Sequence, residues 1–178
     1  MLDQDPKQLV AAEAEVQKEL AANGDYVPAL MAQAALYSQH QPRQAIEIYN
    51  GVLRRFPDLA PAQKHLAALY AQDEATIPQA YELAVKARKI LPDDLELAAL
   101  LGRLSYARKE YARAVQLLEE TKRTKRLDAE LLFYLGMSQL QARQMNEARG
   151  VLNEALTNGL QEPFATEAKR ALANLDRN

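Results

Sequence analysis

Few residues of a kind that supports acid–base or metal chemistry occur in this sequence, and they are dispersed. The two histidines, His40 and His65, are not spaced from each other or from carboxylates as in common metal-binding motifs. The absence of cysteine excludes disulfides, thiolate metal ligands and a cysteine nucleophile. Six scattered glycines form neither a phosphate-binding loop nor a Gly-x-Ser-x-Gly motif. We therefore predict that the protein is not an enzyme and holds no metal and no cofactor.

Two adjacent acidic pairs, Asp93–Asp94 and Glu119–Glu120, carry the paired carboxylates that acid–base catalysis uses. The first pair follows Pro92 at a predicted helix start, where aspartate caps free backbone amides. The second pair lies inside a predicted helix and is expected to be solvated. Both are predicted to be structural.

One basic run, from Lys122 to Arg126, has two interpretations. It is either a nuclear-import or nucleic-acid patch, or a set of cations at a helix C-terminus that complements the helix dipole. The second is favoured, because no aromatic residue is interleaved and the 22 Lys and Arg do not exceed the 24 Asp and Glu. No nucleic-acid partner is therefore predicted.

The elements that position these residues are predicted to be helices. The 178 residues are 48% hydrophobic with only 6 Gly and 8 Pro, and alanine and leucine dominate. Apolar runs are too short for membrane insertion. Residues 1–5 begin no recognisable signal peptide. We expect a soluble protein, cytoplasmic or, if a signal was removed, periplasmic.

A helical repeat of about 34 residues runs through the chain. Four segments begin with an alanine, and the residues four and seven places later are apolar or small, which places them on one helix face. These alanines follow one another at 35, 34 and 34 residues: Ala45, Ala80, Ala114 and Ala148. A helix with a small residue among apolar neighbours precedes each: Ala34, Ala67, Gly102 and Gly136. Counted from the small residue, the turn between the two helices is one residue shorter than the pattern in the first repeat. In the second repeat it is one residue longer.

This pattern resembles the tetratricopeptide repeat. The first-helix motif is matched by Leu66-Ala67 with Tyr70, by Leu101-Gly102 and by Leu135-Gly136. The second-helix motif is matched by Ala80, Ala84 and Ala87, by Ala148, Leu152 and Ala155, and the terminal proline by Pro57 and Pro92. The sequence departs from the family pattern at Gln33, Ser105, Arg126, Gln139 and Leu160.

The resemblance implies an all-α, right-handed superhelix of about ten antiparallel helices. We expect a single domain over 1–178, with an N-terminal helix at 6–22 and a closing helix within 163–178. The repeats are expected at 26–59, 60–94, 95–128 and 129–162.

The resemblance also implies a protein or peptide partner, bound by the concave face that the first helices of each pair line. In this register the predicted partner-binding residues are Met31, Lys64, Arg103, Tyr106, Phe133, Met137 and Leu140. Arg103 and Lys64 are expected to steer acidic groups of the partner. The closing helix is an alternative occupant over Phe133 and Leu140. The Lys and Asn of a chaperone-tail carboxylate clamp are replaced by Met31 and Ala35, which disfavours that function.

A second hypothesis is structural. The helix at 6–22 would be the second helix of an unfinished repeat, so the protein could be a segment of a longer array. It could equally self-associate through the exposed solenoid ends, as a unit of a bacterial envelope or secretion assembly.

Overall fold

The computed structural model describes the backbone of residues 6–175 and the side chains of residues 10–175. Residues 1–5 and 176–178 of the predicted domain lie outside that range. The described part contains ten α-helices: α1 Pro6–Ala22, α2 Val27–His40, α3 Pro42–Arg55, α4 Ala60–Tyr70, α5 Ile77–Ile90, α6 Leu95–Ala107, α7 Tyr111–Thr124, α8 Ala129–Gln141, α9 Met145–Thr157 and α10 Phe164–Leu175. The all-helical prediction is confirmed, and the helix pairs coincide with the predicted repeats.

The chain divides into two compact units, the first unit Met1–Ile90 and the second unit Leu91–Asn178. In the first, α2 packs with α3 and α4 with α5, while α1 lies on α2. In the second, α6 packs with α7 and α8 with α9, and α10 lies on α8 and α9. One domain over 1–178 stays a prediction.

Aspartates start the first helices of both pairs in the second unit. An Oδ1 atom of Asp94 accepts a hydrogen bond from the Leu97 amide at 2.9 Å, and Asp128 accepts one from Leu131 at 2.8 Å. Each bond satisfies an amide that has no partner within its helix. The capping role predicted for the Asp93–Asp94 pair is thus confirmed at Asp94.

The turns inside the pairs differ in length, as the sequence spacing predicted. In the second unit the α6–α7 and α8–α9 turns have the same form, with Lys109 and Arg143 at positive φ angles of 62° and 63°. In the first unit α2 runs through Gln41 directly into α3, whereas a 3-10 helix, Glu74–Thr76, separates α4 from α5. The repeats therefore vary in their turns and keep their packing faces.

The cores lie where the paired helices cross. A Cβ atom added to Gly102 would lie 2.6 Å from Leu118 Cγ, and one added to Gly136 would lie 2.7 Å from Leu152 Cγ. Both distances are shorter than real side-chain contacts, so no side chain fits at either position without movement. This confirms the expectation that the small residues mark close helix crossings.

Candidate functional site

In the second unit, the predicted partner-binding residues lie on the neighbouring first helices α6 and α8. A cleft of about 290 Å³ opens between them near the start of α8. Its lining mixes apolar and charged side chains: Glu96, Ala99, Leu100, Arg103, Lys125, Asp128, Glu130 and Leu131. Such a concave surface can take up a partner side chain.

Arg103 lies in this cleft as predicted, but a carboxylate accompanies it. Its Nη1 atom is 4.0 Å from Oε1 of Glu130, and the two side chains are 30% and 48% exposed. A pair this long and this exposed contributes little to stability. Arg103 is therefore held loosely enough to exchange Glu130 for a group on a partner.

Tyr106 lies beside the cleft and is partly exposed. Its ring centroid is 5.2 Å from that of Tyr134 and 5.9 Å from that of Tyr111. Burial, followed by the charge of Glu167, raises the pKa of Tyr106 to about 12. The hydroxyl therefore stays protonated near neutral pH and can donate or accept a hydrogen bond.

Tyr134 is the centre of this aromatic group and was not among the predicted binding residues. Its ring lies 5.7 Å from that of Phe164 on α10, and the carboxylate of Glu130 is within hydrogen-bonding reach of its hydroxyl. Burial, and then Glu130, raises the pKa of Tyr134 to about 12. The available signal was the adjacency of two aromatic residues at 133–134. We call Arg103, Tyr106, Glu130 and Tyr134 the tyrosine face.

The closing helix covers one of the predicted binding residues. Phe133 is 1% exposed and its ring is 4.9 Å from that of Phe164, so the alternative that α10 covers this region holds for Phe133. Met137 is 7% exposed in the same core, and both residues lie in the floor below the tyrosine face. Leu140 is partly exposed and packs against the same core.

In the first unit the predicted residues are Met31 on α2 and Lys64 on α4. Met31 packs, partly buried, against the core that contains Tyr49 and Leu66. Lys64 is partly exposed, and Ala35 is exposed. These residues belong to the first unit, whereas the tyrosine face belongs to the second.

The remaining candidate residues take structural positions. His65 stacks on the ring of Tyr49 at 5.7 Å between centroids, and His40 is exposed at the end of α2. Glu119, expected to be solvated, is exposed but also accepts a hydrogen bond from Gln139 at 3.2 Å. Within residues 10–175, no cluster of His, Asp and Glu could hold a metal ion.

The basic run has partners in its own unit. Lys122 pairs with Glu154, and Arg126 donates a hydrogen bond to Asn158 at 3.0 Å. Arg123 donates to the backbone carbonyl of Glu119, one turn earlier, at 3.3 Å. These contacts fit the helix-end interpretation. Among the helices described, none is long and apolar enough to cross a bilayer.

Comparisons with known proteins agree with this architecture. The model of the tetratricopeptide repeat family matches residues 28–59 and 130–158. No curated protein matches the sequence.

Solved structures share the fold at low sequence identity. MamA from AMB-1 aligns with a TM-score of 0.71 at 19% identity, over 83% of this chain and 85% of that one. PilF of Pseudomonas aeruginosa aligns with a TM-score of 0.69 at 18% identity, over 95% and 82%. A thermophilic tetratricopeptide repeat protein of Thermus thermophilus aligns with a TM-score of 0.61 at 19% identity, over 94% and 92%.

The helix pairs, their crossings and the partly exposed face of the first helices define an all-α repeat protein of the kind that serves as a protein-interaction scaffold. Residues 28–59 and 130–158 are tetratricopeptide repeats, and the other helix pairs share their fold.

Proposed function

We propose that the protein is a non-catalytic scaffold that binds a peptide or protein segment on the tyrosine face of its second unit. The observation that carries this is the pair of partly exposed tyrosine rings, Tyr106 and Tyr134, beside an open cleft. Tyrosine and arginine are the residue types most enriched at binding hot spots.

Binding energy would come from burial of the two rings and of the apolar cleft wall. The floor under the rings is rigid, because Phe133 is packed between Tyr134 and Phe164 at centroid distances of 5.5 and 4.9 Å. A rigid floor reduces the ordering cost of association, so that more of the burial energy appears as affinity. Arg103 and the tyrosine hydroxyls would set the orientation of the segment.

Site-directed cross-linking tests this function, because a protein without cysteine accepts single-cysteine variants. Glu96→Cys places a benzophenone maleimide at the cleft, and Gln116→Cys places one on the exposed side of α7. After irradiation in extract of the source cells, we expect a discrete adduct from position 96 that position 116 does not give. The proposal would be contradicted if both positions gave the same adducts. It would also be contradicted if the adduct from position 96 persisted in a variant that also carries Tyr106→Ala.

Self-association through α1 is a second candidate. Helix α1 packs on α2, and Val10 on it is 64% exposed. A second copy would then cover the exposed side of α1. In sedimentation velocity over a hundredfold concentration range, we expect the sedimentation coefficient to rise with concentration for wild type and not for Val10→Glu. A wild-type monomer at every concentration would contradict this second function.

A further inference from the structure

The charges around the tyrosine face are mainly negative. Glu130 is within hydrogen-bonding reach of the Tyr134 hydroxyl, and the charge of Glu167 on α10 acts on Tyr106. Glu96 and Asp128 add two further carboxylates at the cleft, against the cations Arg103 and Lys125. The cleft lining thus holds three carboxylates, those of Glu96, Asp128 and Glu130, against two cations, and this balance opposes the expectation that Arg103 steers acidic groups.

The aromatic rings favour the same sign of partner. The face of a tyrosine ring is electronegative and attracts ammonium and guanidinium groups. The ring centroids of Tyr106 and Tyr134 are 5.2 Å apart, and the charges of Glu167 and Glu130 act on their hydroxyls. A cation on these rings would be attracted both by the ring faces and by these carboxylates.

We propose that the segment bound by the tyrosine face is cationic, with arginine or lysine side chains placed against Tyr106 and Tyr134 between Glu130 and Glu167. This rests on the proposed function and names the chemistry of its partner. Glu130 would give up its long ion pair with Arg103 and form an ion pair with a cation of the partner. Arg103 would then be free to bind a backbone carbonyl of the segment.

Selection from a random dodecapeptide library displayed on phage tests the inference with the full chain. We expect the recovered peptides to be enriched in Arg and Lys. A synthetic peptide of the recovered sequence should bind roughly 3–10-fold more weakly to Glu130→Gln/Glu167→Gln, since each contact of a cation with a ring and carboxylate is modest. Glutamine preserves the shape of the side chain and removes its charge.

The matched control is Glu47→Gln/Glu147→Gln, which removes the same charge from exposed positions on α3 and α9. Unchanged affinity there excludes general attraction to an acidic protein. Equal weakening in both double variants would overturn the inference.

The remaining outcomes separate the two proposals. The selection could instead recover acidic or uncharged peptides whose binding is lost in Tyr106→Ala. That result would overturn the proposal that the partner is cationic but would support peptide binding at the tyrosine face. An empty selection, or peptides insensitive to Tyr106→Ala, would overturn both.

Discussion

The two units use different residue pairs at the same helix crossings. In the second unit, glycine faces leucine twice: Gly102 meets Leu118, and Gly136 meets Leu152. All four residues are buried. The leucine side chain fills the space above the glycine. Glycine has a lower helix propensity than alanine, and this close packing compensates for that loss of stability.

In the first unit, alanine occupies the small position. In the repeat alignment, the pairs Ala34–Tyr49 and Ala67–Ala84 occupy the positions that the Gly–Leu pairs have in the second unit. All four residues are fully buried. The comparison shows that the crossing takes a small residue on the first helix, while the residue facing it varies in size. In the first unit the residue pairs at the crossings differ and the turns are irregular. In the second unit both pairs are Gly–Leu and both turns have the same form.

The largest expected effect comes from filling the glycine side of a strict pair. Gly136→Leu and Gly102→Leu should each lower the free energy of unfolding by about 1–3 kcal/mol through overpacking. Urea denaturation followed by circular dichroism measures the change. Gly150→Leu is the matched control, because no atom lies within 4 Å of a Cβ added there. Equal effects at 136 and 150 would show that the crossing does not require glycine.

Alkaline pH should destabilise the second unit through its tyrosines. Because the pKa values of Tyr106 and Tyr134 are about 12 in the folded protein and 10.0 in the reference state, the unfolded chain loses these protons first. Stability is therefore complete below pH 10 and falls as pH rises towards 12. Tyr106→Phe and Tyr134→Phe should each reduce the loss at pH 11 by about 0.5–1 kcal/mol, after allowance for partial exposure. Denaturation curves at pH 8 and pH 11 would contradict this if the variants lost as much stability as wild type.

Helix glycines away from the crossings should behave alike in both units. Gly51 in α3 and Gly150 in α9 have room for a methyl group, the nearest atom being 3.7 Å away at Gly51. Gly51→Ala and Gly150→Ala should each stabilise the protein by about 0.5–1 kcal/mol, because alanine restricts the unfolded chain. Thermal unfolding is sufficient to detect this. A loss of stability at either position would mean that it is also a packing site.

The turns provide the smallest contrast. Arg143 adopts a positive φ of 63°, which disfavours residues with a side chain, whereas Ala71 ends α4 at a φ of −69°. Arg143→Gly should stabilise the protein by about 0.5 kcal/mol, and Ala71→Gly should destabilise it by a similar amount. Chemical denaturation of both variants gives the signs. Two changes of the same sign would contradict the difference between the turns.

The helices, their pairing and the unequal turns were predictable from sequence, because the 34-residue spacing of Ala80, Ala114 and Ala148 is a local signal. The site was only partly predictable. Arg103 and Tyr106 follow from the register of α6. Burial of Phe133 depends on Phe164, which comes 31 residues later in a helix outside the repeat pattern.

Tyr134 was missed for a related reason. In the 34-residue alignment it coincides with Leu100, which lies outside the register from which the binding residues were predicted. Its partner Tyr106 belongs to another repeat and its partner Phe164 to the closing helix, and neither spacing carries a periodic signal. The acidic surroundings were equally hidden, because Glu167 reaches Tyr106 only through the packing of α10.

The central claim is that the tyrosine face binds a peptide, and titration calorimetry with a selected dodecapeptide tests it most directly. Tyr106→Ala should weaken binding at least about tenfold, as truncation of a hot-spot tyrosine does. His40→Ala, an exposed change in the other unit, should leave the affinity unchanged. An unchanged dissociation constant for a Tyr106→Ala variant that still unfolds cooperatively would contradict the claim.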